Sequence, residues 1–208
     1  HNDVGHYIVY VDGEPVIVDA GVEAYTGKTF SSERYDIWTM QSAYHSLPTI
    51  NGVMQAPGME FAAKDASSEE DSEKANISLD IADAYPPEAN LKTWRRDLTL
   101  VRRQEIQVVD QYALTEAADS IQMSLLTPCI AVASDGKITL GKRQLSNDRS
   151  AGAACIHFDA DKMTVEIERR DLTDGKSMHY WGEYLSRILF TLVDPGASGE
   201  VEVRISKL

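Results

Sequence analysis

Apolar and polar residues alternate along most of this chain in short runs broken by turn residues, a spacing that predicts strands. Residues 6–11 (HYIVYV) and 15–18 (PVIV) flank Asp12-Gly13, residues 47–50 and 53–55 flank Asn51-Gly52, and residues 130–133 and 138–140 flank Asp135-Gly136. Each arrangement predicts a β-hairpin, because both central residues of a type I′ turn take positive φ and Asn, Asp and Gly tolerate it best. Residues 75–81, 164–169 and 201–205 show the period of two expected of half-buried antiparallel strands, and residues 98–109 read as one long strand ending at Asp110. Only two stretches have a helical pattern. Residues 113–120 form a short one, and residues 184–193 place apolar side chains at 185, 188, 189 and 192, which suits a helix or a buried strand equally. Roughly a dozen short strands with regular turns predict an all-β fold, a single two-layer antiparallel β-sandwich spanning residues 1–208. No repeat of 20–50 residues is present, which argues against solenoids and propellers.

Composition sharpens this picture in three ways. A hydrophobic fraction of 43% is ordinary for a globular domain, and no apolar run is long enough to insert in a membrane. The formal net charge of −13 disfavours nucleic acid and anionic membranes as partners, and part of it is concentrated in residues 65–74 (DASSEEDSEK), which read as a solvated loop. Cys129 and Cys155 both lie in apolar stretches and read as buried small hydrophobes, although one disulfide between them stays open; without a CxxC motif a cysteine zinc site is excluded. The abrupt His-Asn-Asp start leads to the expectation that the sequence is a piece of a longer protein, so the absence of a targeting segment carries no weight.

Among the five histidines, His157 and His179 read as structural residues, since nothing nearby completes a catalytic or metal set. His1 and His45 differ. Pairing across the Asp12-Gly13 turn sets Asp19 opposite about residue 6, at the His1 end of the hairpin, and His45 enters just before the Asn51-Gly52 turn. If that strand lies beside the first hairpin, two imidazoles and a carboxylate converge, a donor set that suits zinc with one open position. Spacing alone does not separate such a triple from a chance one.

The segment HNDVGHYIVYVDGEPVIVDAGVEAYT resembles the start of the heparinase II/III-like C-terminal domain. That family carries His-x-His-x-Asp-x-Gly, a strand, a turn, and a second strand ending in Asp-x-Gly. His1, Asp3 and Gly5 match the second His, the Asp and the Gly, Asp19-Ala20-Gly21 matches the end of the second strand, and Tyr44-His45 is similar to a later Tyr/Trp-His element. The run WRRDLTLVRRQEIQVVDQY resembles an Arg-flanked family strand that ends in Asp. The match is specific over about the first 55 residues and looser beyond.

The resemblance implies a structural zinc ion on His1, Asp19 and His45. It implies a parent enzyme that cleaves an acidic polysaccharide of the heparan sulfate or alginate type by β-elimination. A base removes the C5 proton, the uronate carboxylate is neutralised, and the glycosidic oxygen leaves from C4. No catalytic residue is expected in this chain, because the neutralising His precedes His1 in the motif and the base and acid belong to an N-terminal helical toroid domain, the expected partner. The resemblance also implies a bacterial periplasmic or secreted protein. Tyr25, Tyr35, Trp38 and Tyr44, in the loop between the metal candidates, are candidates for stacking on sugar rings, whereas Trp94 and Trp181 read as core. Neighbouring arginines on a strand point to opposite faces, so Arg95-Arg96 and Arg102-Arg103 read as solvated or ion-paired. The rival readings are a stand-alone carbohydrate-binding or structural sandwich without metal or catalysis, and a complete enzyme of the mutarotase kind.

Overall fold

The computed structural model describes residues 1–146 and 148–208. The first hairpin pairs β1 (Val9–Val11) with β2 (Glu14–Ile17) across Asp12 and Gly13, whose φ values of 53° and 83° are what the turn requires. A run of single-turn 3-10 helices fills the stretch from Gly27 to Tyr44 and delivers the chain to β3 (Pro48–Ile50). There follow β4 (Lys64–Glu70), β5 (Lys74–Asp80), β6 (Leu91–Val101), β7 (Glu105–Leu114), β8 (Ile121–Thr127), β9 (Ile130–Ser134), β10 (Lys137–Gly141), β11 (Ala154–Phe158), β12 (Met163–Asp171), helix α1 (Gly175–Trp181), β13 (Tyr184–Leu192) and β14 (Ser198–Lys207).

Two antiparallel sheets make the body of the sandwich. One runs in the order β4-β5-β6-β7-β14-β11-β10-β9, the other β12-β13-β8-β3. Alternation decides which side chains fill the space between them. On β14, Val201, Val203 and Ile205 are buried while Glu202 and Arg204 face solvent, and on β10 Ile138 and Leu140 point inward. The main core joins these to Leu125, Ile188 and Phe190 from the smaller sheet, and Trp94 stacks on Tyr112 at 5.3 Å between centroids. Cys129 and Cys155 are free, buried thiols. Trp94 is wholly buried, and Trp181 packs at the core's edge while donating from Nε1 to the Ala20 carbonyl.

The structure departs from the sequence expectations at some elements and settles one that was open. Residues 98–109 are not one strand: Arg103 takes φ 65° and folds the chain back, so that β6 and β7 form a hairpin. Residues 65–74 are not a loop but mostly β4 and its turn into β5, an edge strand whose acidic side chains stay in water. Residues 113–120 form no helix, because the end of β7 is still paired to β14 and β6. Residues 184–193 resolve as a strand, held between β12 and β8. Helix α1 has no counterpart among those expectations; Asp174 caps it by accepting from the Lys176 and Ser177 N–H groups.

Candidate metal centre

Three segments meet at one end of the first hairpin. The chain leaves β2 along β8, with the Val18 N–H donating to the Leu126 carbonyl, and reaches Asp19, whose Oδ1 accepts the Gly21 N–H at 2.6 Å. The N-terminal segment is docked rather than frayed, as a terminal position would lead one to expect. The Asn2 N–H donates to the Met40 carbonyl and its side-chain amide to the Gln55 carbonyl, while the Gln55 side chain both accepts from and donates to the Val4 backbone. Gly5 follows with φ 83°, and a Cβ there would lie 2.7 Å from Ile81 Cγ2. His45 arrives from the last 3-10 turn, only 1% exposed, just ahead of β3.

Asp19 Oδ2 is the hub. It lies 3.6 Å from His45 Nδ1, 3.9 Å from His1 Nδ1 and 3.7 Å from His6 Nε2. His1 stacks on His45 at 5.3 Å between ring centroids, and Asp3 stands 4.0 Å from His1 Nδ1 with its carboxylate half in solvent. The candidates His1, Asp19 and His45 therefore come together, and Asp3 joins them, with potential ligand atoms all within 4.8 Å of one another.

Sequence reasoning misses His6, although pairing counted across the Asp12-Gly13 turn sets Asp19 about opposite it. The Ser46 N–H donates to His6 Nδ1 at 2.8 Å, so that nitrogen keeps a lone pair and the proton sits on Nε2, facing Asp19. His6 thus turns an N–H rather than a lone pair to the site, at 3.7 Å from Asp19 Oδ2 and beyond hydrogen-bond reach, so it is not placed as a ligand.

The shifts of His45 and Asp19 suit metal binding, whereas that of His1 favours a proton that a metal ion would have to displace. Burial drives His45 down to about 4, against the pull of Asp19, and burial also lowers His6. Attraction to Asp19 raises His1 in spite of its own burial. Burial opposes ionisation of Asp19, but His1, the Gly21 N–H and the other two imidazoles outweigh it and hold the carboxyl at about 2. His1 Nε2, His6 Nε2 and both nitrogens of His45 are buried without a hydrogen-bond partner among the described residues. Uncompensated, such a cluster is costly. Ligand atoms on a tetrahedral zinc ion at about 2.1 Å stand about 3.4 Å apart. The separations of 3.6 and 3.9 Å from Asp19 Oδ2 are close to that edge, so the donor set fits the ion.

The aromatic candidates spread over the adjacent loop. Trp38 and Tyr44 meet edge to face at 5.2 Å, with the Arg170 guanidinium over both rings and Arg187 over Tyr44; Trp38 Nε1 also donates to Glu23. Tyr25 is 66% exposed and contacts Phe30, and Tyr35 is partly buried nearby in the chain, its carbonyl accepting from Gln41. These side chains do not enter the imidazole cluster; Tyr44 adjoins it only through His45.

The sequence profile of the family described as heparinase II/III-like, C-terminal, matches residues 1–182. The chain belongs to this family. Among solved structures it is similar to the heparan sulfate lyase HepC of Pedobacter heparinus, with a TM-score of 0.74 at 15% identity over 99% of this chain. It is also similar to two heparinase III structures, at TM-scores of 0.72 and 0.68 and identities of 13% and 18%, covering 99% and 100% of this chain. At such identities the likeness is one of fold. This heparinase II/III-like domain spans 30% of the length of each of those three chains, in which it is one part of a larger protein. No curated protein sequence matches the chain. Among the described residues no helix is long and apolar enough to cross a membrane.

Proposed function

We propose that this chain is the C-terminal domain of a bacterial, periplasmic or secreted lyase that cleaves a uronic-acid polysaccharide by β-elimination. In this reading it braces an N-terminal helical toroid domain and carries a structural zinc site. The observation that carries the metal assignment is the buried set of imidazole nitrogens without partners around the ionised Asp19. His1, Asp19 and His45 are the ligands, with Asp3 at the open side and His6 beside Asp19. Bound zinc would cross-link the N-terminal segment, the end of the first hairpin and the loop before β3. Tyr25, Tyr35, Trp38 and Tyr44 form the aromatic side of the polysaccharide groove, where Arg170 adds positive charge beside an Arg187 that is paired with Glu168.

Chemistry at C5 needs a base, a carboxylate-neutralising group and an acid converging on one sugar. In this reading those groups come from outside this chain. The test is an absorbance assay for the unsaturated uronate product on heparan sulfate and alginate. The isolated chain is expected to release none, whereas a chain that includes the preceding toroid domain releases it steadily. Sustained release by the isolated chain, lost in His45→Ala, would instead make this sandwich the enzyme.

A further inference from the structure

We propose that Arg96, held by Asp110, is a positioning residue for the metal centre, clamping the two loops that carry its histidines into one geometry. The inference rests on the metal reading above and assigns a role to a buried ion pair outside the ligand set.

Arg96 on β6 and Asp110 on β7 are direct cross-strand partners. The guanidinium binds the carboxylate through both ends, Nε to Oδ1 at 2.8 Å and Nη2 to Oδ2 at 2.7 Å, and both side chains are all but fully buried. A pair that served only the sheet would need no more than these two bonds. Arg96 makes two more, from Nη1 to the Gly5 carbonyl at 2.9 Å and to the Ser46 carbonyl at 2.5 Å. Those carbonyls belong to the residues immediately before His6 and immediately after His45.

The surrounding bonds close the same joint. Ser46 donates its N–H to His6 Nδ1 and its hydroxyl to the Tyr7 carbonyl, and the Tyr7 ring lies 5.6 Å from the Arg96 guanidinium carbon. Segments 5–7 and 45–46 are distant in sequence and share no strand pairing, so these side-chain bonds join them directly, beside the Asn2 and Val4 bonds to Met40 and Gln55. Among the described residues, the planar fork of Arg96 touches the backbone of both while anchored in the β6–β7 hairpin. Gly5 fits the scheme, since its positive φ and its close approach to Ile81 leave it no room for a side chain, and its carbonyl is the one that meets Arg96. Burying an ion pair is a poor way to gain stability, and apolar replacements of such pairs are often tolerated. The pair is therefore better understood by what its two additional bonds hold in place, as supporting shells of metal ligands commonly do.

The test uses the whole chain and two variants, Arg96→Lys, which keeps the charge against Asp110 but loses the fork, and the double variant Arg96→Met with Asp110→Leu, which removes the pair without stranding a charge. Circular dichroism and cooperative melting establish folding of the metal-free proteins. Zinc affinity is then measured by chelator competition, and the visible spectrum of bound cobalt(II) reports ligand geometry. The expected result is that a folded variant binds zinc about 10- to 100-fold more weakly than the wild type and shows an altered cobalt spectrum. Wild-type affinity within twofold and an unchanged spectrum in a folded variant would overturn the clamp while leaving the metal reading intact. A wild-type chain that binds neither metal would overturn the metal reading, and the clamp with it. If neither variant folds, the pair is required for the fold itself and the positioning role is withdrawn.

Discussion

The substitution Asp19→Asn changes the candidate metal centre by one atom and one charge. The amide oxygen of the new side chain can still accept the Gly21 N–H, so the local turn survives, while the position facing His1, His6 and His45 becomes an amide nitrogen that cannot bind a cation. A ligand that binds only the folded state at 100 times its Kd adds about 2.7 kcal/mol of stability. For a chain of this size 1 kcal/mol moves Tm by roughly 2–4 °C. Saturating zinc should therefore raise the wild-type Tm by about 5–11 °C. If the substitution weakens zinc about 100-fold, in line with the upper end of what even supporting residues contribute, the same zinc concentration adds only about 0.4 kcal/mol, or 1–2 °C. The metal-free protein should also lose stability, by up to about 2 kcal/mol, because the contacts that hold the Asp19 carboxyl at about 2 outweigh its burial; the zinc-induced shift is therefore compared within each protein. Differential scanning fluorimetry with and without zinc, after chelation, reads all four values. An equal zinc shift in both proteins would take Asp19 out of the site, and no shift in the wild type would mean that the folded chain binds no zinc.

Gly5→Ala should cost about 2–4 kcal/mol in chemical denaturation, since the residue sits at φ 83° and its new methyl would overlap Ile81 Cγ2 at 2.7 Å; a loss under about 1 kcal/mol would mean that the N-terminal segment adapts freely. Metal-free stability should fall as pH drops from about 6.5 to 4. Burial depresses His45 to about 4 in the folded chain, so the unfolded chain binds the extra proton across that window, and about 3 kcal/mol present above it is lost. His6 acts in the same direction and the raised His1 opposes it, so the difference between wild type and His45→Gln isolates the His45 share; parallel Tm–pH curves for the two proteins would remove it.

The hairpins that show in the sequence are those whose turns advertise positive φ, such as Asp12-Gly13, and these bring Asp19 to the His1 end of the fold. The β6–β7 turn does not show because Arg103 adopts the left-handed conformation without being a residue that favours it. The acidic edge strand β4 reads as a loop because both of its faces are solvated and no apolar alternation survives. At the candidate site the three ligands are legible by register and by resemblance. His6 does not stand out, even though the same count sets it about opposite Asp19, because its orientation depends on a hydrogen bond from Ser46, forty residues away. Arg96 is legible as an ion-paired residue, but its contacts with Gly5 and Ser46 come from segments 91 and 50 residues away and leave no mark in the sequence. Side chains that act on backbone groups of distant segments leave no spacing to read.

Whether the domain carries a metal on His1, Asp19 and His45 can be read from X-ray diffraction at the zinc absorption edge, using crystals of the chain grown with one equivalent of zinc. One strong anomalous peak is expected, about 2.0–2.2 Å from a nitrogen of His1, a nitrogen of His45 and Asp19 Oδ2, with His6 Nε2 outside bonding distance. No peak between these residues, or zinc held by His6 in place of one of them, would show the assignment to be wrong.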